Sequence, residues 1–377
     1  MLLYTYICLI CPLIYLYVCH GACDYEKRKV MPEVYYINMD KSVDRRVAMD
    51  KHLSEMGYKS YRVRGITPQE LYIPEDLMKT WDNRWCMVDS EIPLPGHLNA
   101  STASFTGRND EASVDYYAII TGMCGRKRSE AKNTGNLLKE LGCTSSHLDA
   151  MRRAIYSNTS NSRYAIIIED DVFFPFDVDW DALAATAPKG FGILQLFNSN
   201  SNSMSATWEH YVKNPAQLWV QRHPMKFFDY WSTCAYLIDR FTMRSVIDSV
   251  AYKRPGDKLL NFKIIAGINN PCVPADCCPT GNDEFMGVPP CVWAPRGFQA
   301  DSFLYAMAKT YMLTVPLITN GAGTSQSTFH QSHVSLLHRK AFAQQRSFVN
   351  EMLEGKVVLP PHVGKAGCSK LEVDRLD

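Results

Sequence analysis

The run Arg163-Tyr164-Ala165-Ile166-Ile167-Ile168-Glu169-Asp170-Asp171-Val172-Phe173-Phe174 carries the strongest signal in this chain. Apolar and aromatic residues lead straight into three carboxylates, and apolar residues follow at once. A short continuous apolar run reads as a strand buried on both faces. Its acids then stand at the carboxyl end, where open α/β sheets bind ligands. Burying three adjacent carboxylates is costly unless something positive is bound beside them. Side chains alternate across a strand, so Glu169 and Asp171 are expected on one face and Asp170 on the other. Two carboxylates at the mouth of a sheet suit a hard divalent cation such as Mn²⁺ or Mg²⁺. A strand ending in a solvated acidic turn is the other reading of the same residues.

Working outward, Glu33 to Met39 is a β-branched and aromatic strand. Asp40 to Asp44 can cap a helix over Val43 to Met56, and Tyr61 to Arg64 is a second strand. This β-α-β opening argues for a parallel sheet. Trp81 to Gly135 is rich in Ser, Asn and Gly and reads as an insertion, with a strand conceivable over Tyr116 to Ile120. A helix with a Ser/Thr start is expected over Cys143 to Tyr156, ahead of the acidic strand. Strands over Phe191 to Phe197 and Ser232 to Ile238 follow, then a helix over Arg240 to Val250. Tyr252 to Gln299 is a Cys- and Pro-rich second insertion. A helix over Ala300 to Thr310, a strand over Tyr311 to Pro316 and a helix over Leu336 to Leu353 close the pattern. The expected fold is α/β: a single Rossmann-type core over residues 30–353, with a mixed, mostly parallel sheet, two loop insertions and a C-terminal tail over 354–377.

The chain has 377 residues, enough for one large domain with insertions or for two. Its net charge of +1 supplies no field that would single out nucleic acid as a partner. Leu2 to Cys19 is a nearly uncharged apolar stretch followed by Lys27, Arg28 and Lys29. Eighteen residues reach ~27 Å as a helix, barely a bilayer core. A cleaved signal peptide ending near Gly21 to Cys23 fits, and so does a membrane anchor. Either sends the remainder into the secretory lumen. Of 13 cysteines, those between Cys272 and Cys291 crowd into a segment without periodicity. In an oxidising compartment they read as disulfides stapling a loop, with a zinc site as the competing reading. The sequons at Asn99 and Asn158 agree with a luminal address.

Four segments, in order, resemble glycosyltransferase family 25, which includes lipopolysaccharide glycosyltransferases and the collagen galactosyltransferases. They are Tyr36-Ile37-Asn38-Met39-Asp40-Lys41-Ser42-Val43-Asp44-Arg45-Arg46, Gly142-Cys143-Thr144-Ser145-Ser146-His147-Leu148, Ile166-Ile167-Ile168-Glu169-Asp170-Asp171-Val172 and Ala235-Tyr236-Leu237-Ile238. The resemblance implies a GT-A-like fold, a nucleotide-sugar donor, a UDP-hexose with UDP-galactose favoured, and a divalent metal. It places Glu169, Asp170 and Asp171 at the metal and donor diphosphate, with Asp171 nearest the metal. Asn38, Asp40 and Arg45 fall where base and ribose should sit, and Asp40 and Asp44 read equally as turn and capping residues. His147 is expected at a helix start, where backbone amides can bind phosphate. Asp301, in Ala300-Asp301-Ser302-Phe303-Leu304-Tyr305, is the first choice for the carboxylate base that an inverting transferase needs, with Asp283 or Glu284 second. His330 or His333 is expected to complete a site that suits Mn²⁺ better than Ca²⁺. The acceptor is expected to be a glycan or a hydroxylated protein side chain. A non-catalytic glycan-binding protein of the same fold and a metal-dependent hydrolase of nucleotide sugars or phosphoesters are the rival readings.

Overall fold

The structure, a computed structural model, describes residues 31–67, 115–124, 134–222, 230–252, 259–267, 287–288, 291–292, 300–320 and 332–365. In chain order the strands are β1 (Glu33–Asn38), β2 (Ser60–Arg64), β3 (Asp115–Cys124), β4 (Tyr164–Glu169), β5 (Val172–Phe173), β6 (Phe176–Val178), β7 (Ile193–Gln195), β8 (Trp219–Gln221), β9 (Ala235–Asp239), β10 (Ala251–Tyr252), β11 (Leu259–Gly267), β12 (Gly287–Val288), β13 (Cys291–Val292), β14 (Thr310–Leu313), β15 (Thr319–Asn320) and β16 (Val363–Lys365). The helices are α1 (Val43–Glu55), α2 (Thr134–Tyr156), α3 (Trp180–Ala185), α4 (Ser201–Lys213), α5 (Arg240–Val250), α6 (Ala300–Leu304) and α7 (Ser332–Leu353).

Seven strands form the central sheet in the order β2-β1-β4-β9-β7-β14-β8. The β1–β2, β1–β4 and β7–β14 ladders are parallel, whereas β9 runs antiparallel to both β4 and β7 and β8 antiparallel to β14. The mixed α/β core expected from the sequence is therefore present. The Ala165-Ile166-Ile167-Ile168 run of β4 has no exposed surface. Each such isoleucine contributes roughly 1.5–3 kcal/mol by leaving water. Alternation sends Ala165 and Ile167 to one face, where Leu148, Met151 and Ile155 of α2, Met243 and Ile247 of α5 and Phe303 of α6 cover them. Ile166 and Ile168 face the opposite layer, built by Met49 and Leu53 of α1, Leu183 of α3, Trp208 and Tyr211 of α4 and Met352 of α7. The result is a three-layer sandwich.

Several elements depart from the sequence reading, among them β7 and β9, which are shorter than or offset from the strands expected over Phe191 to Phe197 and Ser232 to Ile238. Helix α2 begins at Thr134, so Cys143 lies in mid-helix rather than at a start. Ser146 Oγ donates to Gly142 O at 2.6 Å and accepts from Ile66 N–H at 2.8 Å, which satisfies the hydroxyl inside the helix. Residues after Asn198 form α4, capped by Asn200, whose side chain accepts from Asn202 N–H. The helix expected over Ala300 to Thr310 is the short α6.

The two segments read as insertions meet. Strand β3 pairs in parallel with β11 from Asp115↔Leu259 to Cys124↔Gly267, and β10 closes this second sheet. Beyond α7, β16 returns to pair with β6, and Tyr211 donates to Val358 O at 2.6 Å. Among the described residues no helix is long and apolar enough to cross a membrane. The Leu2–Cys19 stretch, the sequon at Asn99 and most of the Cys272–Cys291 group lie outside the described residues.

Candidate functional site

The co-directional strands β1, β4, β7 and β14 present their carboxyl ends at one edge of the sheet. Because β9 runs the other way, its amino-terminal flank, Ser232 to Cys234, arrives at that same edge. Glu169 closes β4, and Asp170 and Asp171 form the turn that follows. Their separation onto two sides holds, with the turn setting the direction of Asp171.

Asp170 points toward β1. Asn38 Nδ2 donates to its Oδ2 at 2.6 Å, and Arg45 Nη1 meets its Oδ1 at 2.8 Å. Asn38 is buried, and its amide is engaged within the protein: Nδ2 also reaches Ser42 O at 3.0 Å, while Oδ1 accepts from Arg62 Nε at 3.0 Å. Arg62 Nη2 donates to Asp40 Oδ1 at 2.5 Å, and Arg64 stands 3.8 Å from Asp40 Oδ2. Asp40 therefore serves as an ion-pair partner of β2. The cap of α1 is Ser42, with Asp44 in the first turn. Arg62 and Arg64 were not singled out from the sequence, where a short Tyr-Arg-Val-Arg strand carries no mark of a site.

Glu169 points the other way, toward α2. Its Oε1 accepts from Thr233 Oγ1 at 2.9 Å and lies 3.5 Å from His147 Nε2. His147 is almost fully buried, and its Nδ1 is 3.0 Å from the Tyr236 hydroxyl. The expectation that His147 opens a helix and offers backbone amides to phosphate is corrected here. With α2 running through it, its backbone N–H belongs to the helix, and the imidazole reaches the acidic cluster as a side chain.

Donor atoms of Glu169, Asp171 and Cys234 lie within 4.8 Å of one another, as do those of Cys143, His147 and Glu169. Asp171 Oδ1 is buried and has no hydrogen-bond partner. Burial, then the charges of Glu169 and Asp170, push Asp171 up to about 7, against a smaller opposing pull from Arg45 and Asn320. Burial also raises Asp170, with Arg45 and Asn38 pulling it back. An unpartnered carboxylate oxygen inside a like-charged pair is the environment that a divalent cation relieves. Glu169 and Asp171 therefore fit a metal. Cys143 and Cys234 are free thiols, both raised by burial and then by nearby carboxylates.

Asp301 stands in the first turn of α6, across this edge from β4. Its Oδ2 accepts from Ser232 N–H at 3.3 Å, and its carbonyl accepts from Arg222 Nη2 at 3.2 Å. Ser232 has φ 96°, a conformation that non-glycine residues adopt only when surrounding contacts hold it. Those contacts include Tyr305, whose hydroxyl donates to Ser232 O at 2.8 Å. Asp283, Glu284 and His330 lie outside the described residues, and His333 falls in the first turn of α7. Thr233, Cys234 and Cys143 were missed as site residues. Only the Cys143–His147 spacing, four residues on one helix, left a trace in the sequence.

No curated protein matches the chain. A family model described as glycosyltransferase family 25 (LPS biosynthesis protein) matches residues 31–260, which hold β1, the Asn38–Arg45 turn, His147, the Glu169–Asp171 edge and β9, and the chain belongs to that family.

Proposed function

We propose that the protein is a luminal, metal-dependent, inverting glycosyltransferase that moves a hexose from a nucleotide diphosphate sugar to a glycan or a hydroxylated protein side chain. The observation that carries this reading is the convergence of Glu169 and Asp171 around the unpartnered Asp171 Oδ1 at the end of β4. Glu169 and Asp171 would hold Mn²⁺ or Mg²⁺, with His330 or His333 as a further ligand. An imidazole beside the carboxylates suits Mn²⁺ better than Ca²⁺. A cation held by Glu169 and Asp171 would neutralise the charge that gathers on the departing nucleotide diphosphate.

The protein's own groups do the rest. Thr233 fixes the direction of Glu169 by a hydrogen bond to Oε1, with His147 Nε2 3.5 Å from the same oxygen. Asn38 and Arg45 hold Asp170 away from the pair, so Asp170 shapes the turn and Arg45 stays beside the donor pocket. Arg62 and Arg64 line the same rim at the end of β2, where cationic side chains can meet phosphate oxygens. Asp301 takes the proton of the acceptor hydroxyl on its carboxylate, with the Ser232 N–H steadying Oδ2. UDP-hexoses are the proposed donors, UDP-galactose first among them. The apolar Leu2–Cys19 stretch supports the luminal address as leader or anchor.

The test is turnover of a panel of UDP-sugars with and without Mn²⁺, beside Asp171→Asn. Mn²⁺-dependent transfer abolished in the variant is expected. Turnover unchanged in Asp171→Asn would remove the acidic edge from the mechanism. Glycan binding without turnover of any donor would favour a binding protein of this fold. Release of free sugar at the same rate with and without acceptor would favour a hydrolase.

A further inference from the structure

We infer that Cys143, His147 and Glu169 form a second binding site, for a soft divalent cation of the Zn²⁺ class, which shares Glu169 with the Glu169–Asp171 pair. Cys143 and His147 are four residues apart on α2, so their side chains stack on one helix face. That face meets the end of β4, and the sulfur, imidazole and carboxylate donor atoms all lie within 4.8 Å of one another. Thiolate, imidazole and carboxylate together make a zinc ligand set, while hard ions prefer oxygen.

The spacing within the set supports a cation more than a hydrogen bond. His147 Nε2 to Glu169 Oε1 is 3.5 Å, beyond the usual range for an N–H···O bond. Two tetrahedral ligands with bonds of ~2.0–2.1 Å stand about 3.3 Å apart, close to what the side chains already hold. The Tyr236 hydroxyl at 3.0 Å occupies Nδ1, which turns Nε2 toward the cluster. Metal-binding histidines are commonly held through their other ring nitrogen in this way. The helix is also fixed along its axis. A Cβ at Gly142 would stand 2.7 Å from Ile66 O, so backbone packs on backbone next to Cys143.

The Glu169–Asp171–Cys234 set is richer in oxygen and opens toward the proposed donor. A soft ion on the α2 side would draw Glu169 toward His147 and away from Asp171. This antagonism rests on the proposed donor site, whereas binding at Cys143 and His147 does not.

The experiment is a Co²⁺ titration of the full chain, read by the thiolate-to-cobalt charge-transfer band, with Zn²⁺ as competitor. Cys143→Ser and His147→Gln are each expected to weaken the Co²⁺ site at least tenfold, and Cys143→Ser to abolish its share of the band. Cys234→Ser should keep both. The proposal is overturned if Cys143→Ser and His147→Gln retain the parent's spectrum and affinity, or if the band follows Cys234 instead. Should Cys143→Ser fail to fold, His147→Gln decides the matter by the same reading. A companion assay follows Mn²⁺-dependent turnover against added Zn²⁺, with inhibition expected in the parent and lost in Cys143→Ser. Intact Co²⁺ binding without Zn²⁺ inhibition would uphold the site and count against Glu169 as a donor-cation ligand.

Discussion

Asp171→Asn should make the metal-free protein more stable at neutral and alkaline pH. Asp171 is lifted from an ordinary carboxylate value of 3.8 to about 7, first by burial and then by Glu169 and Asp170. Between those values the folded state binds a proton that the unfolded chain has lost, so stability falls as pH rises. Below about 4 both states are protonated and the penalty is absent; above about 7 both are ionised and it is complete. At about 1.36 kcal/mol per pKa unit the shift sets an upper bound of about 4 kcal/mol. Access of water to part of the side chain reduces this to about 1–2 kcal/mol, or roughly 2–4 °C in Tm for a domain of this size. The assay is thermal unfolding in EDTA at pH 8 and at pH 4. The variant should melt higher at pH 8 and level with the parent at pH 4, and added Mn²⁺ should reverse the order at pH 8 by stabilising the parent alone. A variant that melts lower than the parent at pH 8 in EDTA, or an advantage that grows toward acid, would refute the account of Asp171 as a strained carboxylate awaiting a cation.

Three further outcomes are expected. Asp301→Asn should lower kcat by about 10²–10⁴-fold while nucleotide binding, measured by calorimetry, stays unchanged, because a lost base affects the proton transfer alone. Gly142→Ala should destabilise the fold by about 1–3 kcal/mol in denaturant unfolding despite alanine's better helix propensity, since its Cβ meets Ile66 O at 2.7 Å. Arg240→Met should cost about 1–3 kcal/mol, because buried Glu33 loses the guanidinium 3.0 Å from its Oε2 while Lys59 still pairs with its Oε1. Burial alone would raise Glu33, but hydrogen bonds from Thr159, Lys59 and Arg240 outweigh it and hold the carboxyl well below its usual value. Glu33 therefore stabilises the parent fully above the ordinary carboxylate range, and that contribution drains as pH falls below it. In acid-unfolding curves Arg240→Met should show a weaker dependence over that window.

The core was legible where burial on two faces leaves a continuous apolar run. Strands β1 and β4 and helix α5 fall where Glu33 to Met39, Tyr164 to Glu169 and Arg240 to Val250 indicated, and β9 begins three residues later than the strand expected over Ser232 to Ile238. Helix α2 was read nine residues short because Gly142 and the Thr144-Ser145-Ser146 run look like a helix boundary. In the fold Gly142 is required by the close approach of Ile66, and Ser146 is satisfied within the helix. Helix α4 was hidden by the Asn198–Ser205 run, whose Asn200 is its cap while Trp208 and Tyr211 supply the buried stripe. At the site, the division between Glu169 with Asp171 and Asp170 matches the expected alternation, although it is the turn after β4 that sets Asp170 and Asp171 on their two sides. Thr233 and Cys234 could not be placed beside Glu169 without the reversed direction of β9, a matter of strand pairing rather than of local sequence.

The ladder between β3 and β11 bears on how the chain reaches its native state. It joins Asp115 to Leu259 and Cys124 to Gly267, across the entire stretch that supplies β4, β7 and β9. Closing so long a loop costs chain entropy that a two-residue turn between neighbours does not. Parallel pairing gives no local hairpin from which to begin. The central sheet, whose β1–β2, β7–β9 and β4–β9 ladders close much shorter loops, can begin to assemble first and bring the two segments together. The accessory sheet would then close late and open first, as a separately exchanging unit in amide hydrogen exchange.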